Sequence, residues 1–155
     1  MLFNMNSRGF TIIQIIFVIL IISIITMVVL PTYQQHTRKA RIERARAALL
    51  ENAHYLERFY SRHSTFKQTS TTWPNLPVTH TQHFCIRPQG NARGALDDKF
   101  MLKAVAYNKQ DEPRIIKINE SLTTYLCETS SSTCSDKNTF FTGGSRVDKN
   151  CKLYQ

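Results

Sequence analysis

The sequence carries no Asp, Glu, Lys or Arg between Gly9 and Thr37 and no cysteine in its first half. It is also short of acid, with 11 Asp and Glu against 20 Lys and Arg, a formal net charge of +9 over 155 residues. That length holds one small domain and an extended element, not two full cores. The four cysteines, Cys85, Cys127, Cys134 and Cys151, form no C-x-x-C pair, which argues against a zinc ribbon or a thioredoxin-like site. G-x-S-x-G, H-E-x-x-H and a glycine-rich phosphate loop are absent as well, so the expectation is not an enzyme. His80 and His83 have a metal-compatible spacing but no third ligand, and read as a pair of loop histidines; no metal or cofactor is expected. Asn119-Glu120-Ser121 matches a glycosylation sequon, a pattern short enough to arise by accident. The shortage of acid points to an anionic partner, nucleic acid or a lipid surface, or to general solubility.

The uncharged segment is apolar from Phe10 to Leu30, interrupted only by Thr11, Gln14, Ser23 and Thr26. A helix of that length spans ~30 Å, the thickness of a bilayer core. It is too long for a cleaved secretory signal, and it runs to Leu30-Pro31 with no A-x-A cleavage pattern there. Arg38, Lys39, Arg41, Arg44 and Arg46 crowd the far side while Arg8 stands alone before it, which by the positive-inside rule would put the C-terminal part in the cytoplasm.

Beyond Pro31, which is expected to bend the helix, an apolar stripe recurs at Ala45, Ala48, Leu49, Asn52, Leu56 and Phe59, opposite Arg44, Glu51, Arg58 and Arg62. This predicts a helix laid on a sheet. "TFKQTSTTWPNLPVTHTQ" reads as a connecting loop, followed by strands over Phe84–Arg87, Lys99–Tyr107 and Arg114–Asn119. Thr123–Cys127 extends the third strand or forms a fourth. An antiparallel hairpin centred on residue 110 sets Lys103 across from Lys117, with Arg87 also on the face away from the helix. Like charges directly opposite are unfavourable, so such a sheet is expected to present a basic face to an anion. From Cys127 onward the chain reads as an irregular, cysteine-tied loop region with Gly143-Gly144 as a flexible tip. The even cysteine count in a small domain implies two disulfides and an oxidising compartment. Three pairings are open. We expect Cys85–Cys134 with Cys127–Cys151, because the second would close the glycine-containing tail.

The stretch "RGFTIIQIIFVILIISIITMVVLP" resembles the N-terminal signal of type IV pilins. The resemblance implies cleavage by prepilin peptidase after Gly9, N-methylation of Phe10, and retention of the helix as an inner-membrane anchor and later as filament core. Against the positive-inside rule, it places the C-terminal part in the periplasm and then at the cell surface; the Gly9-Phe10 junction is the more specific signal. One departure is Gln14, at a position where the family usually has glutamate, so a charge-assisted contact is lost there. The implied fold is α+β, a long N-terminal helix on an antiparallel sheet with a disulfide-bounded C-terminal loop region. The expected division is 1–9 leader, 10–37 membrane and filament-core segment, 38–63 amphipathic helix, and 64–155 loop, sheet and C-terminal loops.

"RAALLENAHYLERFY", "FCIRPQGNARGALDDKFMLKAVA", "IIKINESL" and "CSDKNTFFTGGSRVDKNCKL" resemble neisserial ComP-type minor pilins over nearly all of the chain after the leader. That resemblance implies a double-stranded DNA receptor of natural transformation with a preference for a DNA uptake sequence. Carried over, its basic residues fall on Arg87, Lys103 and Lys117, with Arg93 in the loop after the first strand and Lys137, Arg146 and Lys149 in the tail. Asn91, Arg93, Asn138 and Asn150 are available to read base edges. The other implied partners are further pilins, the pilus assembly machinery and prepilin peptidase. The alternative is a minor pilin for assembly, adhesion or aggregation that binds no DNA.

Overall fold

A computed structural model describes residues 11–155. Gly9 and Phe10, the expected cleavage and methylation positions, lie outside the described residues. The chain divides into two compact units, Met1–Lys39 and Ala40–Gln155.

In the first unit the described chain is the start of α1 (Ile12–His63). Its Ile, Val, Leu and Phe side chains are exposed on every side. A helix that is apolar all round needs a lipid or protein surrounding, and this one is long and apolar enough to cross a membrane. Its few hydroxyls are satisfied within the helix: Ser23 Oγ donates to the Leu20 carbonyl at 2.7 Å and Thr26 Oγ1 to that of Ser23 at 2.9 Å. Gln14 Oε1 accepts from the Thr11 backbone N–H at 3.2 Å, the reach-back half of a capping box. The helix runs through Pro31 without a break in its assignment.

In the second unit Ala45, Ala48, Leu49, Asn52 and Leu56 of the stripe read from the sequence are buried, joined by Ile42 and Ala53, while Phe59 is only partly buried and stacks on His63. They meet a five-stranded antiparallel sheet whose spatial order follows the chain: β1 (Phe84–Pro88), β2 (Met101–Ala106), β3 (Ile115–Asn119), β4 (Thr124–Ser130) and β5 (Asp148–Leu153). Strand alternation sends Phe84, Ile86, Leu102, Ala104, Ala106, Ile116 and Ile118 toward the helix. The alanines at 104 and 106 leave room for the helix to sit close. Asn52, alone among polar residues in the stripe, donates from Nδ2 to the Val78 carbonyl at 2.6 Å and accepts from its N–H at 3.0 Å. The long helix-to-sheet loop is thereby fastened to the helix in both directions.

Two features differ from expectation. The tail is not wholly irregular: β5 pairs with β4, Cys151 directly opposite Cys127. Its polar sequence, "DKNCKL", gives no alternating apolar signal, because Asp148 alone is buried and the rest of the strand is exposed on both faces. Second, the face of the sheet away from α1 is not open. The connection 131–147 folds over it and builds a smaller core of Cys85, Val105, Ile115, Cys127 and Phe141, with Cys134 against it. The disulfides are Cys85–Cys134, which ties this connection to β1, and Cys127–Cys151, which ties β5 to β4.

Candidate nucleic-acid interface

The register aligns Arg87, Lys103 and Lys117 side by side across β1, β2 and β3. The parity argument therefore holds, but the exposed basic face expected from it does not, because the connection 131–147 covers all three. Lys103 is 0 % exposed. Its Nζ donates to Asp148 Oδ1 at 2.5 Å, to Ser132 Oγ at 2.8 Å and to the Thr142 carbonyl at 3.0 Å, using all three protons. Lys117, 9 % exposed, donates to the other oxygen of Asp148 at 3.2 Å. Asp148 also accepts from Ser130 Oγ at 2.7 Å. One buried carboxylate thus sits between two ammonium groups. Burial lowers the Lys103 pKa from its ordinary value, and the hydrogen bond and charge of Asp148 oppose that shift.

Arg87 is half-buried and directed at the same cover. Its Nη2 donates to the Cys134 carbonyl at 2.7 Å, and its Nη1 to those of Asp136 at 2.7 Å and Asn138 at 2.8 Å. A planar guanidinium suits such a task, since its donors leave in fixed directions that a flexible ammonium does not have. Phe141 lies beneath, fully buried, with the guanidinium carbon 5.0 Å from its ring centre and Lys103 Nζ 5.8 Å away.

Phe141 also joins the two loops that carry the remaining basic residues. Its N–H donates to the Pro88 carbonyl at 2.8 Å, and its carbonyl accepts from the Gly90 N–H at 2.8 Å. Gly90 has φ +86°, which a side chain at that position would strain. Its own carbonyl accepts from Trp73 Nε1 at 2.9 Å, bringing the helix-to-sheet loop into the same junction. A groove of about 700 Å³ opens there, lined among others by Trp73, His80, Arg87, Asn91, Tyr107 and Phe140. Asn91 caps the short 3-10 turn Ala92–Gly94, its Oδ1 accepting from the Arg93 N–H at 3.0 Å and leaving Nδ2 and the Arg93 side chain facing out.

Arg93, Lys137, Arg146 and Lys149 are all exposed, as are the side chains of Asn91, Asn138 and Asn150. Asn150 adopts φ +53° within β5 and donates from Nδ2 to Glu128 Oε2 at 2.8 Å. The predicted basic residues fall into two groups: an inner set, Arg87, Lys103 and Lys117, spent on the protein's own acceptors, and an outer set exposed on the loops (Arg93, Lys137, Arg146) and on β5 (Lys149). Sequence reasoning missed Asp148, Ser132 and Phe141. The signal for Asp148 was available, since two lysines facing each other require an anion, and Asp148 is one of the few acids in a basic tail. Among the described residues, no group of three or more His, Cys, Asp or Glu side chains is placed to hold a metal ion.

Residues 31–131 match the family described as type IV minor pilin ComP, DNA uptake sequence receptor. No curated relative matches the chain. Among solved structures, the minor DNA-uptake pilin ComP from Neisseria subflava is 44 % identical, with a TM-score of 0.61, covering 74 % of this chain and 95 % of its own. The type IV pilin ComP from Neisseria meningitidis is 55 % identical, with a TM-score of 0.54, covering 78 % of this chain and 99 % of its own. Family model, identity and shared fold agree, and the chain belongs to the ComP family of type IV minor pilins.

Proposed function

We propose that this minor pilin binds double-stranded DNA outside the cell, prefers a DNA uptake sequence, and serves natural transformation. What carries the proposal is the exposure of Arg93, Lys137 and Arg146 on two loops that backbone bonds to Phe141 hold together, with Lys149 exposed at the start of β5. Cations so placed meet phosphates and release counterions, giving affinity without sequence information. Preference then falls to groups that reach base edges, for which Asn91, Arg93, Asn138 and Asn150 are exposed. Arg87, Lys103 and Lys117 contribute from beneath, by fixing the loops. Upstream of binding, cleavage after Gly9 and methylation of Phe10 release a subunit anchored in the inner membrane by its apolar helix. Its second unit then faces the periplasm and later the cell surface, among other pilins.

The test uses residues 40–155, which contain the whole core and both disulfides. This unit is titrated with a duplex carrying an uptake sequence and with a scrambled duplex, at two salt concentrations. Tighter binding to the first, weakening steeply with salt, is expected. No binding to either at low salt would overturn the proposal in favour of a pilin for assembly, adhesion or aggregation.

A further inference from the structure

We propose that Asp148 is a positioning residue for DNA recognition: with Lys103 and Lys117 it forms an internal ionic lock that holds the connection 131–147 in its binding shape, and none of the three touches DNA. The proposal rests on the DNA-binding reading above and assigns the work of binding within it.

The lock joins four strands to the connection 131–147. Asp148 opens β5, Lys103 lies on β2, Lys117 on β3 and Ser130 at the end of β4. Ser132 and Thr142, the further acceptors of Lys103, sit at the two ends of the covering loop. Arg87 holds the middle of that loop through the carbonyls of Cys134, Asp136 and Asn138. Between these anchors the exposed side chains of Lys137 and Asn138 are held at fixed backbone positions. Arg146 and Lys149 flank Asp148 itself. The Asp148 N–H donates to the Gly144 carbonyl at 2.9 Å, which turns the Gly143-Gly144 tip back toward the sheet.

Charge accounting agrees. An ammonium at 0 % exposure whose three protons already have acceptors has none left for a phosphate, and reaching one would require the loop to lift. The loop cannot lift freely, since Cys134 is bonded to Cys85 and Phe141 is buried beneath it. Two like charges facing each other across β2 and β3 are stable only around an anion. That anion is supplied by the chain as Asp148, which both ammonium groups reach.

Contact and positioning predict opposite results for one substitution. Asp148→Asn removes a negative charge, so if Lys103 and Lys117 met phosphates it would free them and tighten binding to any duplex. If they form a lock, it loosens the loop and removes the preference for the uptake sequence. The experiment compares the unmodified unit with Asp148→Asn, Lys103→Met and Ser132→Ala. Each is titrated with specific and scrambled duplexes across a salt series, and amide exchange of residues 131–147 is followed without DNA. The lock predicts faster exchange in 131–147 for all three. It also predicts roughly tenfold or greater loss of preference for the first two, with an unchanged salt slope. A fall of about 0.9 in the slope for Lys103→Met, equal on both duplexes, would identify a phosphate contact and overturn the proposal. Tighter binding by Asp148→Asn would overturn it as well. Should the first two variants unfold, Ser132→Ala decides: unchanged exchange and unchanged preference sink the lock. Unmodified protein that binds no DNA would overturn the DNA reading and the recognition role with it, while the exchange data separately judge whether the lock exists.

Discussion

At the scale of single residues, the interface is governed by where charges have partners. Asp148 is the one buried carboxylate between two ammonium groups, and breaking a buried pair from one side leaves an uncompensated charge. Asp148→Asn is accordingly expected to cost about 3–5 kcal/mol in urea denaturation. Lys103→Met leaves Asp148 paired with Lys117 and replaces a costly buried ammonium with a chain of similar length, so its loss is expected to be much smaller, under about 1.5 kcal/mol. Asp136 gives a pH handle on the same loop. Its carboxyl pKa is lowered, first by the Thr133 hydroxyl and then by the Thr133 N–H, with Arg87 and Lys109 adding positive charge nearby. A depressed carboxylate contributes stability that is present above its ordinary pKa, ~3.9, and lost as pH falls through the lower folded value. Protection of the Thr133 amide, its exchange rate measured against that of an unfolded chain at the same pH, should therefore fall on acidification below the ordinary carboxylate range, and Asp136→Asn should abolish that dependence. Here the sequence was half legible. Strand parity placed Arg87, Lys103 and Lys117 on one face, but residue spacing could not show that a loop some 30 positions away returns to cover it.

At the scale of elements, local pattern found what has a strong period and missed what is held by bonds instead. The α1 stripe and the helix-facing residues of β2 and β3 were readable because each sets a regularly spaced apolar face against the other. β5 was not, because its pairing rests on backbone bonds to β4 and on the cross-strand Cys127–Cys151 disulfide rather than on apolar side chains. Removing that disulfide as Cys127→Ala with Cys151→Ala should destabilise the unit by about 2–4 kcal/mol. Exchange should rise in β5 and at Asp148 before it rises in β2 or β3. The loop between helix and sheet depends on a single side chain in the same way. Asn52→Ala removes both bonds to Val78 and leaves the Val78 backbone groups unsatisfied, an expected cost of about 1–3 kcal/mol in urea denaturation. A misplaced Trp73 should follow, visible as a shift in its fluorescence, since this protein has only 1 tryptophan.

At the scale of the whole molecule, the two units have different solvents. The second carries its own core, so a protein beginning at residue 40 is expected to melt at the same temperature as the second unit of the full chain in detergent, with calorimetry as the check. The first has nothing of its own to bury against and gains stability only from lipid or from other chains. The sheet has an open margin at β5, the kind of surface along which copies crowded in a membrane or filament would zip into an aggregate. Asn150 turns left-handed in the middle of that strand, and Lys149 and Lys152 project on either side of it. The interruption spoils the even row of donors and acceptors that an incoming strand would have to match, and the lysines repel one another's copies. A residue whose backbone takes a left-handed turn thus guards the open edge of the sheet against pairing with a second copy.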